Sequence, residues 1–198
     1  MKNIIISSSN NNKISEIIPT IQPFFDNIYS LNDFPDIGDI KEDGTSIVEN
    51  SFIKSRAAFS KTKIPSMADD TILEVDYLMG EPGLYTARYA GANATPEENI
   101  DKLLKNMQGV STEERTARFK TVVTYVDGKK DFFVEGYLEG RILEKKEGEK
   151  GFGYDPIFYS TEQNISLGNM SIEEKNRVSH RAIAIQKFAH KIKKLMYA

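Results

Sequence analysis

The sequence contains no cysteine and only two histidines, His180 and His190, and these scarcities remove several chemistries. There is no disulfide framework, no thiolate zinc site and no thiol nucleophile, and two histidines cannot build a multi-histidine metal centre. A metal on this chain must sit on oxygens. Long apolar runs are missing too: the longest stretches, such as Ile4 to Ile6, fall far short of the roughly 18 residues a bilayer crossing takes. The apolar patch after Lys2 is too short for a secretory signal, so a cytoplasmic protein away from membranes is expected. Nor is positive charge in excess. Lys plus Arg number 26 against 29 Asp plus Glu, a net charge of −3, so the broad basic field of a duplex-binding domain is lacking and no nucleic acid polymer is expected as partner. A small, locally basic pocket is compatible with that balance.

What is present suits an ordinary core, since 198 residues that are 39% hydrophobic fold without disulfides or structural metal. Met1–Ile6 reads as a short buried strand, Ser7–Asn12 as a polar loop, and Lys13 to Ile18 as the start of a helix that Pro19 ends or kinks. A polar loop between strand and helix brings helix N–H groups and short hydroxyl and amide side chains together as an anion cradle. Residues 32–44 form an acidic loop. Ser46 and Glu49 make a capping box for a helix to about Ser60 with a core stripe of Val48, Phe52, Ser55 and Phe59. Lys63–Asp70 reads as a strand ending in Ala68-Asp69-Asp70, and Thr95-Pro96-Glu97-Glu98 caps a helix carrying Ile100, Leu103, Leu104 and Met107.

Alternation over Ala117–Val126, the pair Asp127-Gly128, and a second run over Asp131–Leu143 predict a hairpin and hence a partly antiparallel sheet. Glu144–Lys150 is a charged, solvated loop, Ile157–Tyr159 a short strand, and Ser171 and Ser179 cap two final helices, the last with Ala184, Phe188, Ile192 and Leu195 on one face. No repeat or linker interrupts the chain. The expectation is an α/β protein, one folding unit over residues 1–198 with lobes around a cleft.

Acids fall where chemistry is expected: Glu42, Asp69, Asp70, Glu74 and Asp76. Adjacent carboxylates ending an apolar strand are costly to bury unless a cation or hydrogen-bond donors hold them. Oxygen ligands alone suggest magnesium, which shares its coordination with water and substrate phosphates. Lys13 and Lys54 supply positive charge nearby, and with the loop they shift the reading toward phosphate handling. Gly151-Phe152-Gly153-Tyr154-Asp155-Pro156 presents aromatic rings on a flexible backbone. His180 and Arg181 oppose the dipole at a helix start, which favours a functional role for them.

Taken together these motifs resemble the inosine/xanthosine triphosphate pyrophosphatases. The resemblance runs in order through Ser8-Ser9-Asn10-Asn11-Asn12-Lys13, Glu42-Asp43-Gly44-Thr45, Glu49-Asn50-Ser51 with Lys54, Ala68-Asp69-Asp70-Thr71, Pro82-Gly83 with Tyr85, Ala87-Arg88-Tyr89-Ala90-Gly91, Gly151 to Pro156, Glu174-Lys175-Asn176 and Ser179-His180-Arg181. It implies an elongated α/β fold with a mixed central sheet and two lobes flanking a nucleotide-binding cleft, commonly as a homodimer. The substrate is a purine nucleoside triphosphate, cut to the monophosphate and pyrophosphate. By the same resemblance Ser8, Ser9, Asn10, Asn11, Asn12, Lys13 and Lys54 hold the triphosphate, with Thr71 beside it. Glu42 and Asp70 bind Mg2+, and Asp70 is also the general base. Phe152, Gly153, Tyr154, Asp155, Lys175, His180 and Arg181 enclose the base.

The physics suits those roles. Magnesium and lysines offset phosphate repulsion as water attacks the α-phosphate, and Arg181, which only donates, matches the six-position carbonyl of hypoxanthine or xanthine rather than the amine of adenine. Some positions depart from the family: Ser8 stands for threonine, Thr71-Ile72 for Ser-Gly, and Tyr77 and Met79 for smaller residues. Ile72 is β-branched and requires negative φ, so the backbone after Asp70 bears on turnover and base selectivity. Two other activities stay open on this reading, a non-catalytic nucleotide-sequestering protein and a pyrophosphatase for other modified nucleotides.

Overall fold

The computed structural model describes residues 2–196. Its strands form one mixed sheet in the order β2-β1-β3-β5-β6-β7-β8, with β4 on β3. The elements run β1 (Asn3–Ile6), α1 (Asn11–Ile21), β2 (Asn27–Ser30), α2 (Ile47–Thr62), β3 (Ser66–Val75), β4 (Pro82–Gly83) and α3 (Pro96–Asn106). They continue with β5 (Thr116–Val126), β6 (Asp131–Ile142), β7 (Phe158–Ser160), β8 (Ile165–Ser166), α4 (Ile172–Val178) and α5 (His180–Met196). β1 pairs in parallel with β2 and β3, whereas β3–β4, β6–β7 and β7–β8 are antiparallel. The expected α/β class with a mixed sheet is what the chain forms. No described helix is long and apolar enough to cross a membrane.

Internal packing divides the chain into two compact units, residues 2–70, 121–136 and 181–196 in the first and 71–120 and 137–180 in the second. In the first unit β1 lies between β2 and β3. Right-handed crossovers to strands on opposite sides of β1 place the connecting helices on opposite faces of the sheet. One face carries α1 and α5: Ile17, Ile21, Ala184, Phe188 and Ile192 pack with Ile4, Ile6, Met67 and Val123. The other face receives α2, and beside Ile47 and Ala58 what it buries is polar. Asn50, Ser51, Lys54, Ser55 and Ala58 are buried there; of the expected stripe Ser55 is thus buried, while Val48, Phe52 and Phe59 are only half-buried. Hydroxyls replace apolar packing on this face. Thr124 Oγ1 lies 3.0 Å from Ser51 Oγ and 2.9 Å from Ser55 Oγ, and Ser51 Oγ donates to Ala68 O at 3.0 Å. A buried hydroxyl must find partners, and here the helix and two strands supply them to one another.

The second unit has a conventional apolar core in which Ile100, Leu103 and Met107 of the α3 segment pack on Leu73, Val75, Phe119, Leu138 and Phe158. Thr95 and Ser171 cap α3 and α4 as expected, each in a full capping box, with Glu98 and Glu174 respectively.

Several local expectations need correction. Pro19 does not itself end α1, which runs two residues further to Ile21; lacking an N–H, it forgoes one intrahelical hydrogen bond near the helix end. At α2, Ser46 caps Glu49 N, but the Glu49 carboxylate accepts from Thr45 N and Oγ1, one residue upstream of the expected box. Asp69 and Asp70 do not end β3 but sit within it, because cations from neighbouring helices hold them there.

Candidate active site

β3 is the axis of the site. Successive side chains on a strand point to opposite faces, so Asp69, like Met67, faces α1 and α5, and Asp70 faces α2.

On the α1/α5 side, Arg181 Nε donates to Asp69 Oδ2 at 3.0 Å and Arg181 Nη1 to Glu16 Oε2 at 2.6 Å, while Lys13 Nζ stands 3.3 Å from the same Asp69 Oδ2. Asp69 and Arg181 are buried, and Lys13 keeps one-fifth of its side chain exposed. Burial pulls the Lys13 ammonium below its ordinary value, with Lys54 and Arg181 adding to the pull and Asp69 opposing it. For Asp69, burial acts upward but Lys13, Arg181 and Lys54 outweigh it and hold the carboxyl well below its usual range. Its Oδ1 is buried and has no hydrogen-bond partner among the described residues.

On the α2 side, Lys54 Nζ lies 3.0 Å from Asp70 Oδ1 and 3.0 Å from Glu42 Oε2. Burial tends to lower the Lys54 ammonium, but Asp70, Glu42 and Asp69 together raise it. Asp70 is shifted upward, first by burial and further by Glu42, against the pull of Lys54 and Lys13. It is therefore a carboxylate with an elevated proton affinity beside a lysine, the condition for taking a proton. The loop carrying Glu42 is tied to α2 where Gly44 N donates to Asn50 Oδ1 at 2.8 Å. A Cβ at Gly44 would fall 2.8 Å from that oxygen, so a larger residue would push the loop off the helix.

The polar loop after β1 caps its own helix. Asn10 Oδ1 accepts from Asn12 N at 3.0 Å and Lys13 N at 3.3 Å, and Asn10 N donates to Ser8 Oγ. Two helix amides expected in the anion cradle are thus engaged by Asn10. Ser9, Asn11 and Asn12 are exposed beside them, with Ser8 half-buried. Thr71 follows Asp70 in β3 and is half-buried. Ile72 is buried in the same strand and is not among the residues with left-handed backbone, which are Lys63, Met79 and Asn164 outside glycine. The departure at Ile72 leaves Asp70 in a regular strand against Lys54.

In the second unit Asp155 organises the Gly151–Pro156 segment. Its Oδ2 accepts from Phe152 N at 2.8 Å and from Lys175 Nζ at 2.7 Å, and the Lys175 ammonium lies 4.7 Å from the centroid of the Phe152 ring. Gly151 has φ of 78°, and a Cβ there would meet Asp155 Oδ2 at 2.2 Å. The chain needs glycine there on both counts. Gly153 is half-buried and Tyr154 buried, its hydroxyl donating to Thr86 O at 2.9 Å. His180 is buried with its ring stacked on Phe119, 4.6 Å between centroids.

The first unit thus gathers Lys13, Glu42, Lys54, Asp70 and Arg181, and the second gathers Phe152, Asp155 and Lys175. Sequence reasoning missed Glu16 and Thr124, and it placed Asn50 and Ser51 in a motif without giving them a role. Glu16, one helical turn after Lys13, carried a usable signal as an acid within an apolar-striped helix.

The α2-side carboxylates fit magnesium. Glu42 and Asp70 reach a single ammonium, so they stand close enough to share one cation, and both offer hard oxygens. Among the described residues no three His, Cys, Asp or Glu side chains group to enclose an ion. A cation here would complete its shell with water and ligand oxygens, the habit of magnesium.

Fold and site together define a class: a mixed α/β protein whose ionic centre, lysines beside convergent carboxylates, is chemically suited to a polyphosphate and a hard divalent cation. Comparison with known proteins narrows the class. The Ham1 family model matches residues 4–191. The chain is 46% identical over 193 residues to the dITP/XTP pyrophosphatase of Thermoanaerobacter pseudethanolicus, covering 96% of each, and 40% identical to that of Vibrio parahaemolyticus, covering 94% of each. It superposes on the Ham1 protein of Staphylococcus aureus with a TM-score of 0.88 at 35% identity, covering 98% of this chain and 100% of that one. The chain belongs to the Ham1 family.

Proposed function

We propose that this protein hydrolyses deaminated purine nucleoside triphosphates, dITP, ITP and XTP, to the monophosphate and pyrophosphate. Relatives covered to 96% and 94% of their length are named dITP/XTP pyrophosphatase. The observation that carries the reading is the meeting of Glu42 and Asp70 on Lys54, each at 3.0 Å.

Asp70 takes the proton from water as its oxygen bonds to the α-phosphorus and the bond to the bridging oxygen breaks, releasing pyrophosphate. Lys54 and Lys13 lie against the phosphates and offset their charge, Lys13 regaining proton affinity as the polyanion arrives. Ser8, Ser9, Asn11, Asn12 and Thr71 contribute polar contacts to the triphosphate, and Asn10 holds their loop. Magnesium, held by Glu42 and Asp70 when bound, supplies Lewis-acid polarisation of the phosphates. Phe152 offers the base a stacking surface worth roughly 1–3 kcal/mol. Asp155, Lys175, Gly153 and Tyr154 fix that surface, and His180 and Arg181 complete base recognition. The protein works as a cytoplasmic homodimer, which light scattering after size-exclusion chromatography checks for the dimer.

The test is a substrate panel. Purified protein is incubated with ITP, dITP, XTP, ATP and GTP, with magnesium and with excess EDTA. Pyrophosphate release from the first three alone, dependent on magnesium, is expected; no release from any of them refutes the reading.

A further inference from the structure

Asp69 has no role in the proposed reaction, yet it is the most enclosed charge of the site, with a side-chain exposure of 0%. Its bonding is lopsided. Lys13 from α1 and Arg181 from α5 both meet Oδ2, at 3.3 Å and 3.0 Å, while Oδ1 is buried and has no hydrogen-bond partner among the described residues. Arginine–carboxylate pairs are frequently bidentate, each donor meeting its own carboxylate oxygen. Here Arg181 also donates to Glu16 Oε2 at 2.6 Å, so Glu16 meets much of its charge and Asp69 Oδ2 serves as a shared pivot. Among the described residues Lys13 makes one long ion-pair contact, to Asp69 Oδ2. That is the state in which a lysine is oriented for an incoming anion without being neutralised beforehand.

We propose that Asp69 is a positioning residue that acts through Lys13, seating its ammonium for the nucleotide's phosphates. This inference rests on the hydrolase reading above. Lys54, Glu42 and Asp70 lie on the other face of β3, where Lys54 makes its direct contacts to Glu42 and Asp70 and feels Asp69 only through longer-range attraction. The effect of Asp69 therefore falls on substrate capture rather than on the chemical step.

The test is a kinetic cycle with ITP on the intact protein, comparing the parent, Asp69→Asn, Lys13→Met and the double variant. Asp69→Asn should raise KM by about tenfold with kcat changed by less than about threefold, and the double variant should show no higher KM than Lys13→Met alone. A KM left unchanged in Asp69→Asn overturns the proposal, as does a loss confined to kcat or one that multiplies in the double variant. If circular dichroism shows Asp69→Asn unfolded, the double variant, in which one buried charge of each sign is removed, still decides. Equal KM to Lys13→Met supports the proposal and higher KM refutes it. A parent without activity on ITP refutes the hydrolase reading, and this inference falls with it; an active parent with an unaffected Asp69→Asn refutes this inference alone.

Discussion

Replacing Thr124 by valine keeps the shape of the side chain and removes the hydroxyl on which α2 is seated. Thr124 is fully buried, and its Oγ1 meets Ser51 Oγ at 3.0 Å, Ser55 Oγ at 2.9 Å and Ser51 O at 3.0 Å. A hydroxyl has one proton and two lone pairs; with Ser51 Oγ donating to Ala68 O, Thr124 Oγ1 shares its single proton between Ser51 O and Ser51 Oγ and accepts from Ser55 Oγ. The serines are not stranded by the change. Ser51 Oγ keeps Ala68 O, and Ser55 Oγ keeps Ser51 O and Phe52 O at a longer 3.3 Å. The loss is then of one donated and one accepted hydrogen bond, about 2 kcal/mol within a range of about 1–3. For a chain of this length that lowers Tm by about 4–8 °C. Thermal unfolding followed by circular dichroism measures it, with Thr124→Ser as control. The serine keeps the hydroxyl and gives up one methyl, at a cost of about 1 kcal/mol. If valine melts with the parent, or serine melts as low as valine, the hydroxyls do not hold the helix and the account of its polar face is wrong.

The two aspartates of β3 should respond oppositely to amidation. Asp69 is held below its ordinary 3.8, so its ionised form adds stability that is present above pH 3.8 and lost as pH falls below it. Asp69→Asn should melt lower than the parent at pH 7, with the deficit closing in acid. Asp70 is raised above 3.8, so its ionised form costs stability as pH rises past that value. Asp70→Asn should melt no lower than the parent at pH 7 without nucleotide or magnesium, and equal losses in the two variants would contradict the assigned shifts. In turnover the order reverses: Asp70→Asn should lose about 10²–10⁴ in kcat, and near-normal rates would remove it as the base. Phe152→Ala should raise KM for ITP by roughly 5- to 150-fold, the equivalent of one lost stacking contact, and an unchanged KM would place the base elsewhere.

Features written in adjacent residues were legible in the sequence. The caps at Thr95 and Ser171, the turn at Asp127-Gly128 and the charged Glu144–Lys150 loop depend on partners a few positions away. Features that depend on distant partners were not. The buried face of α2 was misassigned because Val48, Phe52 and Phe59 outweigh serines on any hydrophobic count, whereas the serines' partner, Thr124, lies 73 positions from Ser51. β3 was cut short at Asp70 because a pair of acids ordinarily ends a buried strand; Lys13, Lys54 and Arg181, which permit them mid-strand, come from three separate helices. The motif residues could be named from the sequence, but their pairing could not. Arg181 shows the difference: its Nε and Nη1 are engaged by Asp69 and Glu16, the latter 165 positions away.

The alternation of Asp69 and Asp70 across β3 carries a constraint on how this chain can change its length. β3 joins β1 through the pairs Ile5 with Ser66 and Ile6 with Met67, and after Ala68 come the two acids. Deleting one residue between Met67 and Asp69 would exchange their faces, turning Asp69 toward Lys54 and Asp70 toward Arg181. The composition would barely change, yet each acid would inherit the other's surroundings. Insertions and deletions in this lineage should therefore gather in exposed segments such as residues 144–150, and the step from Met67 to Asp70 should keep its count even where its residues are replaced.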